Sequence, residues 1–404
     1  MLYQNAHLLQ IRPASQQWVA GADMRVLPEL KNAWLLTQGG RIKAFGPMSE
    51  CPQDHQEEVV DCTGRLLMPA WCDSHSHLVY AGNRESEWMD RLKGLTYEQI
   101  AARGGGIVNS AQLLNETPEE EIYRQSKVRL EEVISLGTGA LEIKSGYGLT
   151  LEGELKMLRI IRRLKKEAPI PIRATFLAAH ALPTRYKDDK AGYLKLVIDE
   201  MLPRVAAEGL ADYIDVFCEK GYFDLQDTEL LMEAGAKHGL PAKIHVNQFN
   251  AFGGVAAAVR HNALSVDHLE ELDPADVTAL AGSETMPVAL PGCSFFLGIP
   301  YTPGRRLIDA GLPLALATDF NPGSAPSGNM NLVVALACNK MKLTPEEAIN
   351  AATLNGAYAM GLSSDTGSIT TGKLANLILT RQNVSVSSFG YRFGSNLIEQ
   401  AFTQ

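Results

Sequence analysis

Apolar and polar positions follow two different patterns along this 404-residue chain. Up to Thr63, short apolar stretches are separated by Gly, Pro and Asn, as in AWLLTQGGRIKAFGP, and this pattern predicts short strands joined by tight turns. Beyond Gly64 the apolar runs become continuous and alternate with amphipathic stretches, which predicts βαβ units. Strands in such units lie in a parallel sheet with both faces buried, so their apolar runs need not alternate.

Eight strand-like runs can be counted in this second region. They are LLMPAWCDSHSH, GALEIKSGY, IRATFLAAHALP, YIDVFCEKGY, PAKIHVNQ, ALSVDHLE, MPVALPG and LPLALATDFN. Eight strands that alternate with helices predict an α/β protein with a (β/α)8 barrel. Short strand-like stretches return near the C-terminus, beginning with GSITTGKLANLILTRQ. We therefore expect residues 1–64 plus 362–404 to form a small β-sandwich-like domain from both termini, and residues 65–361 to form the barrel.

Composition and charge place the chain among ordinary globular proteins. Hydrophobic residues make up 46% and charged residues 21%, which argues against disorder. The 46 Asp and Glu outnumber the 37 Lys and Arg, and the net charge of -9 disfavours binding to nucleic acid. We interpret RIIRRLKK, the densest basic run, as the solvated face of an amphipathic helix.

Cysteine usage and the chain start indicate the compartment. The six cysteines are scattered without a CxxC pair, as is typical of a reducing environment. The start, MLYQNAHLLQIRP, lacks the pattern of a secretion signal. No apolar run approaches the roughly 18 residues of a membrane helix. We expect a cytoplasmic protein without a membrane partner.

Histidines are concentrated where the predicted strands end. In a (β/α)8 barrel these ends build the active site. Six residues share this position: His75 and His77 on the first strand, His180 on the third, His245 on the fifth, His268 on the sixth and Asp319 on the eighth. A single histidine at such a place is commonly a hydrogen-bonded loop residue. The HxH pair is more specific, because a strand period of two directs both imidazoles to one side.

Three imidazoles and one carboxylate form a ligand set that suits zinc or iron. We predict His75, His77, His245 and Asp319 as the ligands of one divalent or trivalent metal ion per subunit, zinc or iron. We predict His268 as a catalytic residue, because a histidine beside activated water can orient it or polarise a carbonyl. Alternatively, His268 is a structural histidine paired with Asp267 or Glu270.

These features resemble the amidohydrolase superfamily, whose motif parts occur here in the same order and include GKLANLIL in the terminal module. Longer stretches are similar to the imidazolonepropionase family, which opens the imidazolone ring in histidine degradation. These stretches are SHSHLVYAGNRESEWMDRLKG, YEQIAARGGGI, EIKSGYGL, LAAHALP, DVFCEKGYF, SVDHLE and ATDFNPGS. The resemblance implies metal-dependent hydrolysis of a cyclic amide, 4-imidazolone-5-propanoate, to N-formimino-L-glutamate. It also implies a homodimer.

The resemblance also implies residue roles. The four predicted ligands match the family's metal ligands, and His268 matches its catalytic histidine. From its chemistry we also predict a catalytic role for Asp319, which would take a proton from the water and pass it to the leaving nitrogen. The positions that match substrate-binding residues are Arg84, Tyr147, His180, Gln248, Asn321, Gly323 and Ser324.

Each of these binding roles has a structural alternative. Arg84 offers a planar fork for the substrate carboxylate, and its alternative is a surface ion pair with Glu85 or Glu87. Tyr147 alternatively packs over its glycine-rich turn. The segment DFNPGS alternatively forms an ordinary turn.

Gln248 departs from the wider superfamily, because barrel deaminases place Glu three residues after the fifth-strand histidine. A neutral amide binds a ring atom but does not transfer protons, which disfavours hydrolysis of a ring amino group. Two alternative functions remain open at this point. One is another cyclic amidohydrolase or a deaminase of the same superfamily, and the other is a non-catalytic scaffold with the same fold.

Overall fold

The computed structural model describes residues 1–54, 56–95, 99, 103 and 105–403. The stretch YEQIAARGGGI, which contributed to the family resemblance, lies largely outside the described residues. None of the described helices is both long enough and apolar enough to cross a membrane.

Strands from both chain ends form one mixed sheet. They are β1 Leu2–Leu9, β2 Glu29–Gln38, β3 Arg41–Pro47, β4 Val59–Asp61, β5 Leu66–Pro69, β14 Leu377–Thr380 and β15 Ile398–Phe402. The spatial order is β15-β14-β5-β1-β2-β3, and β4 pairs with β1. Gly39 and Gly40 join β2 to β3 with φ of 57° and 73°, a conformation that glycine adopts without strain in a tight hairpin. The predicted terminal β module is thus present.

Eight parallel strands form the second sheet. They are β6 Trp71–Asp73, β7 Thr138–Lys144, β8 Ile172–Ala179, β9 Tyr213–Cys218, β10 Lys243–Val246, β11 Ser265–His268, β12 Met286–Ala289 and β13 Ala315–Leu316. Neighbours in sequence are neighbours in the sheet. All seven residues of β7 are buried, as expected for a strand covered on both faces. The eight predicted barrel strands are confirmed.

Helices connect and cover the barrel strands. They are α1 Glu85–Leu92, α2 Ile107–Glu116, α3 Glu119–Ser135, α4 Leu151–Glu167, α5 Lys190–Leu196, α6 Leu202–Ala207, α7 Leu225–Lys237, α8 Gly254–Arg260, α9 Pro274–Leu280, α10 Pro291–Leu297, α11 Gly304–Asp309, α12 Met330–Met341, α13 Pro345–Ala352, α14 Leu354–Tyr358 and α15 Ser388–Tyr391. A π-helical turn, Val197–Met201, joins α5 to α6. Short 3-10 turns span Gly21–Arg25, Met48–Glu50 and Thr184–Tyr186. The predicted basic run lies on α4, where Thr150 caps the helix by accepting a hydrogen bond from the Gly153 amide.

The run LLMPAWCDSHSH is divided between the two sheets. Its first part, Leu66–Pro69, pairs with β1 and β14 in the terminal sheet, whereas Trp71–Asp73 pairs with β7 in the barrel. The sequence pattern alone predicted one strand. The division 1–64 plus 362–404 against 65–361 stays a prediction, and this run is where the two sheets meet.

The barrel closes between its first and last strands through backbone hydrogen bonds. The Asp319 amide donates to the His75 carbonyl at 2.9 Å, and the His77 amide donates to the Phe320 carbonyl at 2.8 Å. Asp73 strengthens this seam, since its carboxylate accepts hydrogen bonds from the Thr318 amide and hydroxyl at 2.9 and 2.6 Å. The same backbone contacts bring the HxH pair beside Asp319.

Candidate active site

Four side chains converge at the barrel seam: His75, His77, His245 and Asp319. The Nε2 atoms of His75 and His77 each lie 3.5 Å from Asp319 Oδ1. The Nε2 atoms of His77 and His245 are 3.3 Å apart. All four side chains are buried. The residues predicted as metal ligands are therefore close enough together to share one ion.

The chemistry of this cluster fits a metal ion. Burial lowers the pKa of His75, His77 and His245 well below the usual value for histidine, so all three imidazoles are neutral and carry a free lone pair. His75 Nε2 is buried without a hydrogen-bond partner among the described residues. A buried nitrogen of this kind costs free energy unless something binds it. A first-row divalent metal accepts this set of nitrogen and oxygen donors.

Two aspartates contact the Nδ1 atoms of the predicted ligands His75 and His245, on the side of each ring away from the cluster. Asp267 Oδ2 lies 2.6 Å from His75 Nδ1, and Asp215 Oδ2 lies 2.8 Å from His245 Nδ1. A carboxylate can only accept here, so each ring carries its proton on Nδ1 and directs the Nε2 lone pair at the cluster. Sequence reasoning missed this role of the aspartates. Acidic residues inside the apolar runs YIDVFC and SVDH were the available signal.

His268 lies beside the ligand cluster and has a carboxylate partner. A ring nitrogen of His268 lies within 4.8 Å of nitrogens on both His75 and His245. Its Nδ1 is 3.3 Å from Glu270 Oε2. Burial by itself lowers the pKa of His268, but the Glu270 carboxylate outweighs burial and raises it. The pairing of His268 with Glu270, which was part of the structural alternative, is therefore present. The same contact places a protonatable imidazole next to the cluster.

Asp319 belongs to the cluster and to the loop that follows β13. Burial raises its pKa to about 6. Its backbone has a φ of 55°, which is uncommon for a residue with a side chain. The side-chain Nδ2 of Asn321 donates a hydrogen bond to the Asp319 backbone carbonyl at 2.6 Å and so stabilises this turn. Asn321 Oδ1 also accepts from the amides of Gly323 and Ser324, both at 2.8 Å.

The cluster opens into a cavity lined by residues from several barrel loops and strands. Six of the seven residues predicted to bind substrate line it: Arg84, Tyr147, His180, Gln248, Asn321 and Ser324. Apolar and aromatic residues complete the wall, and sequence reasoning missed them: Ile107, Phe217, Tyr222, Phe249 and Leu297. Because they come from a strand, two helices and two loops that are far apart in sequence, no local pattern marked them.

Arg84 is buried in this cavity rather than exposed on the surface. Only 7% of the residue is accessible. Its guanidinium donates from Nε to Glu87 Oε2 at 2.8 Å and from Nη2 to the same oxygen at 2.5 Å. Gly323 lies behind the guanidinium, where an added Cβ would be 2.0 Å from Arg84 Nη1. The ion pair with Glu87 that was the alternative to substrate binding is present, and it positions Arg84 at the cavity wall.

His180 and Tyr147 pack against the ligand His77. The rings of His180 and His77 stack with centroids 5.0 Å apart, and Tyr147 lies 5.3 Å from His180. His180 Nδ1 is 3.1 Å from the Gly146 carbonyl, which places a proton on that nitrogen. Burial lowers the pKa of His180 to about 4, so the ring is neutral. Its other nitrogen is therefore a hydrogen-bond acceptor.

Gln248 lies on the cavity wall next to the fifth-strand ligand. Its Nε2 donates to Cys293 Sγ at 3.4 Å. Since the amide nitrogen is held by the sulfur, the carbonyl oxygen of Gln248 is available as a neutral acceptor. This position therefore supplies hydrogen bonding but no proton transfer.

Comparison with known proteins identifies full-length relatives of the chain. The amidohydrolase family matches residues 66–392. A protein from Flavobacterium johnsoniae named imidazolonepropionase is 64% identical over 392 residues, which is 97% of this chain and 95% of that protein. An imidazolonepropionase from Flavobacterium psychrophilum is 60% identical over 397 residues, which is 98% of this chain and 97% of that protein.

Solved structures of the same shape are more distant in sequence. The 5-methylcytosine deaminase from Klebsiella pneumoniae superposes with a TM-score of 0.75 at 16% identity. The superposition covers 100% of this chain and 96% of the deaminase chain. An adenosine deaminase from Xanthomonas campestris, solved with bound zinc, has a TM-score of 0.70 at 16% identity and covers 100% of this chain and 91% of its own. At such identities these two structures show the fold alone. The full-length relatives show more: the chain belongs to the amidohydrolase family and, within it, to the imidazolonepropionases.

Proposed function

We propose that this chain hydrolyses 4-imidazolone-5-propanoate to N-formimino-L-glutamate in histidine degradation. The observation that carries the proposal is one cavity that connects a buried arginine with the cluster of three neutral imidazoles and a carboxylate. The relatives that share about three-fifths of its residues carry the name of this activity. The substrate requires both the ligand cluster and the arginine, because it has a ring amide to hydrolyse and a propanoate to bind.

Each end of the substrate has a matching group. Arg84 binds the propanoate through a charge-assisted hydrogen bond, while Glu87 holds the guanidinium in place. Tyr147 and His180 pack along the imidazolone ring, with the neutral His180 accepting from a ring N–H. Gln248, Asn321 and Ser324 contact the remaining polar edge of the substrate, and Gly323 leaves room for Arg84.

Hydrolysis forms a bond between a water oxygen and the lactam carbonyl carbon and breaks the ring C–N bond. When a metal is bound by His75, His77, His245 and Asp319, it supplies Lewis-acid activation of water and of the carbonyl. His268 donates a hydrogen bond to the carbonyl oxygen as negative charge develops there. Asp319 accepts a proton from the attacking water and passes it to the departing ring nitrogen. Gln248 takes no part in proton transfer.

The finer properties belong to the same proposal. Zinc or iron is the expected ion, since both accept nitrogen and carboxylate ligands. All six cysteines are free thiols, which supports a cytoplasmic location. A homodimer is the proposed assembly, and analytical ultracentrifugation measures it.

The test is a comparison of substrates with the purified protein. Initial rates are measured with freshly generated imidazolonepropionate, by loss of its ring absorbance, and with cytosine and guanine, by release of ammonia. We expect turnover of the imidazolone alone. Ammonia release without imidazolone turnover would instead identify a deaminase, and a protein inactive on all three that also lacks metal would be a scaffold.

A further inference from the structure

A group of buried ionic side chains lies in the barrel interior next to the ligand cluster. Its centre is Lys144, at the end of β7, which has no solvent-accessible surface. Lys144 Nζ donates to Glu142 Oε1 at 2.6 Å and to Asp215 Oδ2 at 2.9 Å, and it lies 3.7 Å from Asp267 Oδ2. A buried ammonium with three carboxylates around it keeps its charge, and these carboxylates outweigh burial and raise the pKa of Lys144.

Two of these carboxylates are the groups that orient metal ligands. Asp215 faces His245 Nδ1, and Asp267 faces His75 Nδ1. These histidines come from opposite parts of the chain, one on β10 and one after β6. A single ammonium therefore connects the supports of two of the three imidazoles.

The charge balance makes this connection important. Among the described residues, Lys144 is the only lysine or arginine that forms an ion pair with Asp215 or Asp267. Without Lys144, Asp215 would lose its lysine partner, and Asp267 would keep only the more distant charge of Lys243. Each buried carboxylate would then be favoured to shift or to take the Nδ1 proton. Either response changes how His75 and His245 present Nε2.

We propose that Lys144 is a positioning residue of the metal centre, which fixes Asp215 and Asp267 so that His245 and His75 direct Nε2 at one divalent metal. This inference rests on the metal site of the proposed function. It predicts that Lys144 affects metal affinity, a property that a purely structural ion pair would leave unchanged.

The chain contains a matched control in Lys243. It is also fully buried in the barrel interior and pairs with the same Glu142, through Oε2 at 3.0 Å. It also donates a hydrogen bond to the Ala359 carbonyl at 2.7 Å. Lys243 thus shares the burial and the ionic bonding of Lys144 but forms no ion pair with Asp215 or Asp267, although its charge lowers the pKa of Asp267 from a longer distance.

The experiment compares wild type, Lys144→Met, Lys144→Gln and Lys243→Met by zinc affinity in chelator competition and by thermal unfolding. Lys144→Gln keeps a hydrogen-bond donor and is included because Lys144→Met removes a buried partner of three carboxylates. Both Lys144 variants should bind zinc at least ~10-fold more weakly, the lower end for loss of a group that orients ligands. Lys243→Met should weaken zinc binding less than either Lys144 variant does, even where its thermal midpoint falls as much, because both aspartates keep their contact with Lys144.

Asp215→Asn provides the second measurement. If Lys144 acts through Asp215, then Lys144→Met should weaken zinc binding less in the Asp215→Asn background than in wild type. Equal zinc loss in the Lys144 and Lys243 variants, or additive effects of Lys144→Met and Asp215→Asn, would overturn the inference. A wild type that bound no zinc or iron would overturn the proposed metal site as well, whereas a wild type that binds metal separates the two failures.

Discussion

His268 has a backbone conformation that residues with side chains rarely adopt. Its φ is 90°, and the next residue, Leu269, has a φ of 65°. The Thr302 hydroxyl donates to the His268 carbonyl at 2.6 Å, and the Leu269 amide donates to the Val246 carbonyl at 3.2 Å, so neighbouring contacts hold the conformation. Backbone of this kind persists where the surroundings over-determine it, commonly at functional sites. Here it directs the ring towards the ligand imidazoles.

Replacement of His268 therefore tests a catalytic role at the scale of one residue. We expect His268→Ala to lower kcat by at least ~100-fold, the usual contribution of a proton-transfer or polarising group, because the developing oxyanion loses its donor. Metal content should stay at the wild-type level. The exposed His238 is the control, and His238→Ala should leave turnover unchanged. Near-normal kcat in His268→Ala would remove this residue from the mechanism.

Arg84 permits a separate test of substrate binding. Loss of a hydrogen bond to a charged group costs about 1.5–3 kcal/mol, so Arg84→Met should raise KM for the propanoate substrate by roughly 10- to 100-fold with a smaller effect on kcat. The exposed pair of Arg124 and Glu121 has the same i,i+3 spacing as Arg84 and Glu87. Arg124→Met should leave KM unchanged, and an equally unchanged KM in Arg84→Met would argue against the carboxylate role.

At the scale of elements, the site depends on contact between the first and the last βα loops. Gly323, in the loop after β13, leaves the space that Arg84 fills from the loop after β6. A methyl group at Gly323 would collide with a guanidinium that Glu87 holds on its other side. The two loops therefore position Arg84, the group proposed to bind the substrate carboxylate, together.

Gly323→Ala should displace Arg84 and raise KM by about tenfold, the equivalent of one weakened charge-assisted hydrogen bond. Its backbone φ is not in the left-handed region, so the effect is steric. Gly394 also has a φ outside the left-handed region, and an added Cβ there would meet no atom within 4 Å. Gly394→Ala is therefore the control. A Gly323→Ala enzyme with wild-type KM would show that Arg84 does not need this position.

The elements also show what the sequence could and could not predict. Period-two spacing in SHSH and the strand-end positions of His245 and Asp319 were enough to predict the ligand cluster, because a parallel barrel brings all strand ends to one rim. Lys144 and Glu142 were not identified, because a charged residue in an apolar run does not reveal its partner on another strand. The division of LLMPAWC between two sheets was missed for a related reason: both sheets bury the run, so the hydrophobic pattern does not change at Ala70.

At the scale of the whole molecule, barrel closure and the proposed metal site use the same residues. The hydrogen bonds that join the last strand to the first run through His75, His77 and Asp319 themselves. Closure therefore preorganises the ligands, and binding of an ion across the seam should stabilise the folded chain.

Metal affinity should depend on pH through Asp319. Burial raises the pKa of this carboxyl to about 6 in the metal-free protein, whereas the pKa values of the three histidine ligands are lowered and do not compete. Below pH 6 a proton on Asp319 competes with the ion, so affinity should fall about tenfold per pH unit, and above pH 6 it should level off. Chelator competition from acidic to neutral pH measures the profile, and constant affinity across pH 6 would contradict the assignment.

Metal-dependent hydrolysis of the imidazolone ring is tested most directly by measuring whether ring opening is lost and recovered with the metal. Purified protein is assayed with freshly generated imidazolonepropionate before chelation, after removal of metal, and after addition of one equivalent of zinc or iron(II). We expect one tightly bound ion per chain, loss of ring opening as that ion is removed, and recovery at a stoichiometry of one. Full ring-opening activity in protein without metal would contradict it.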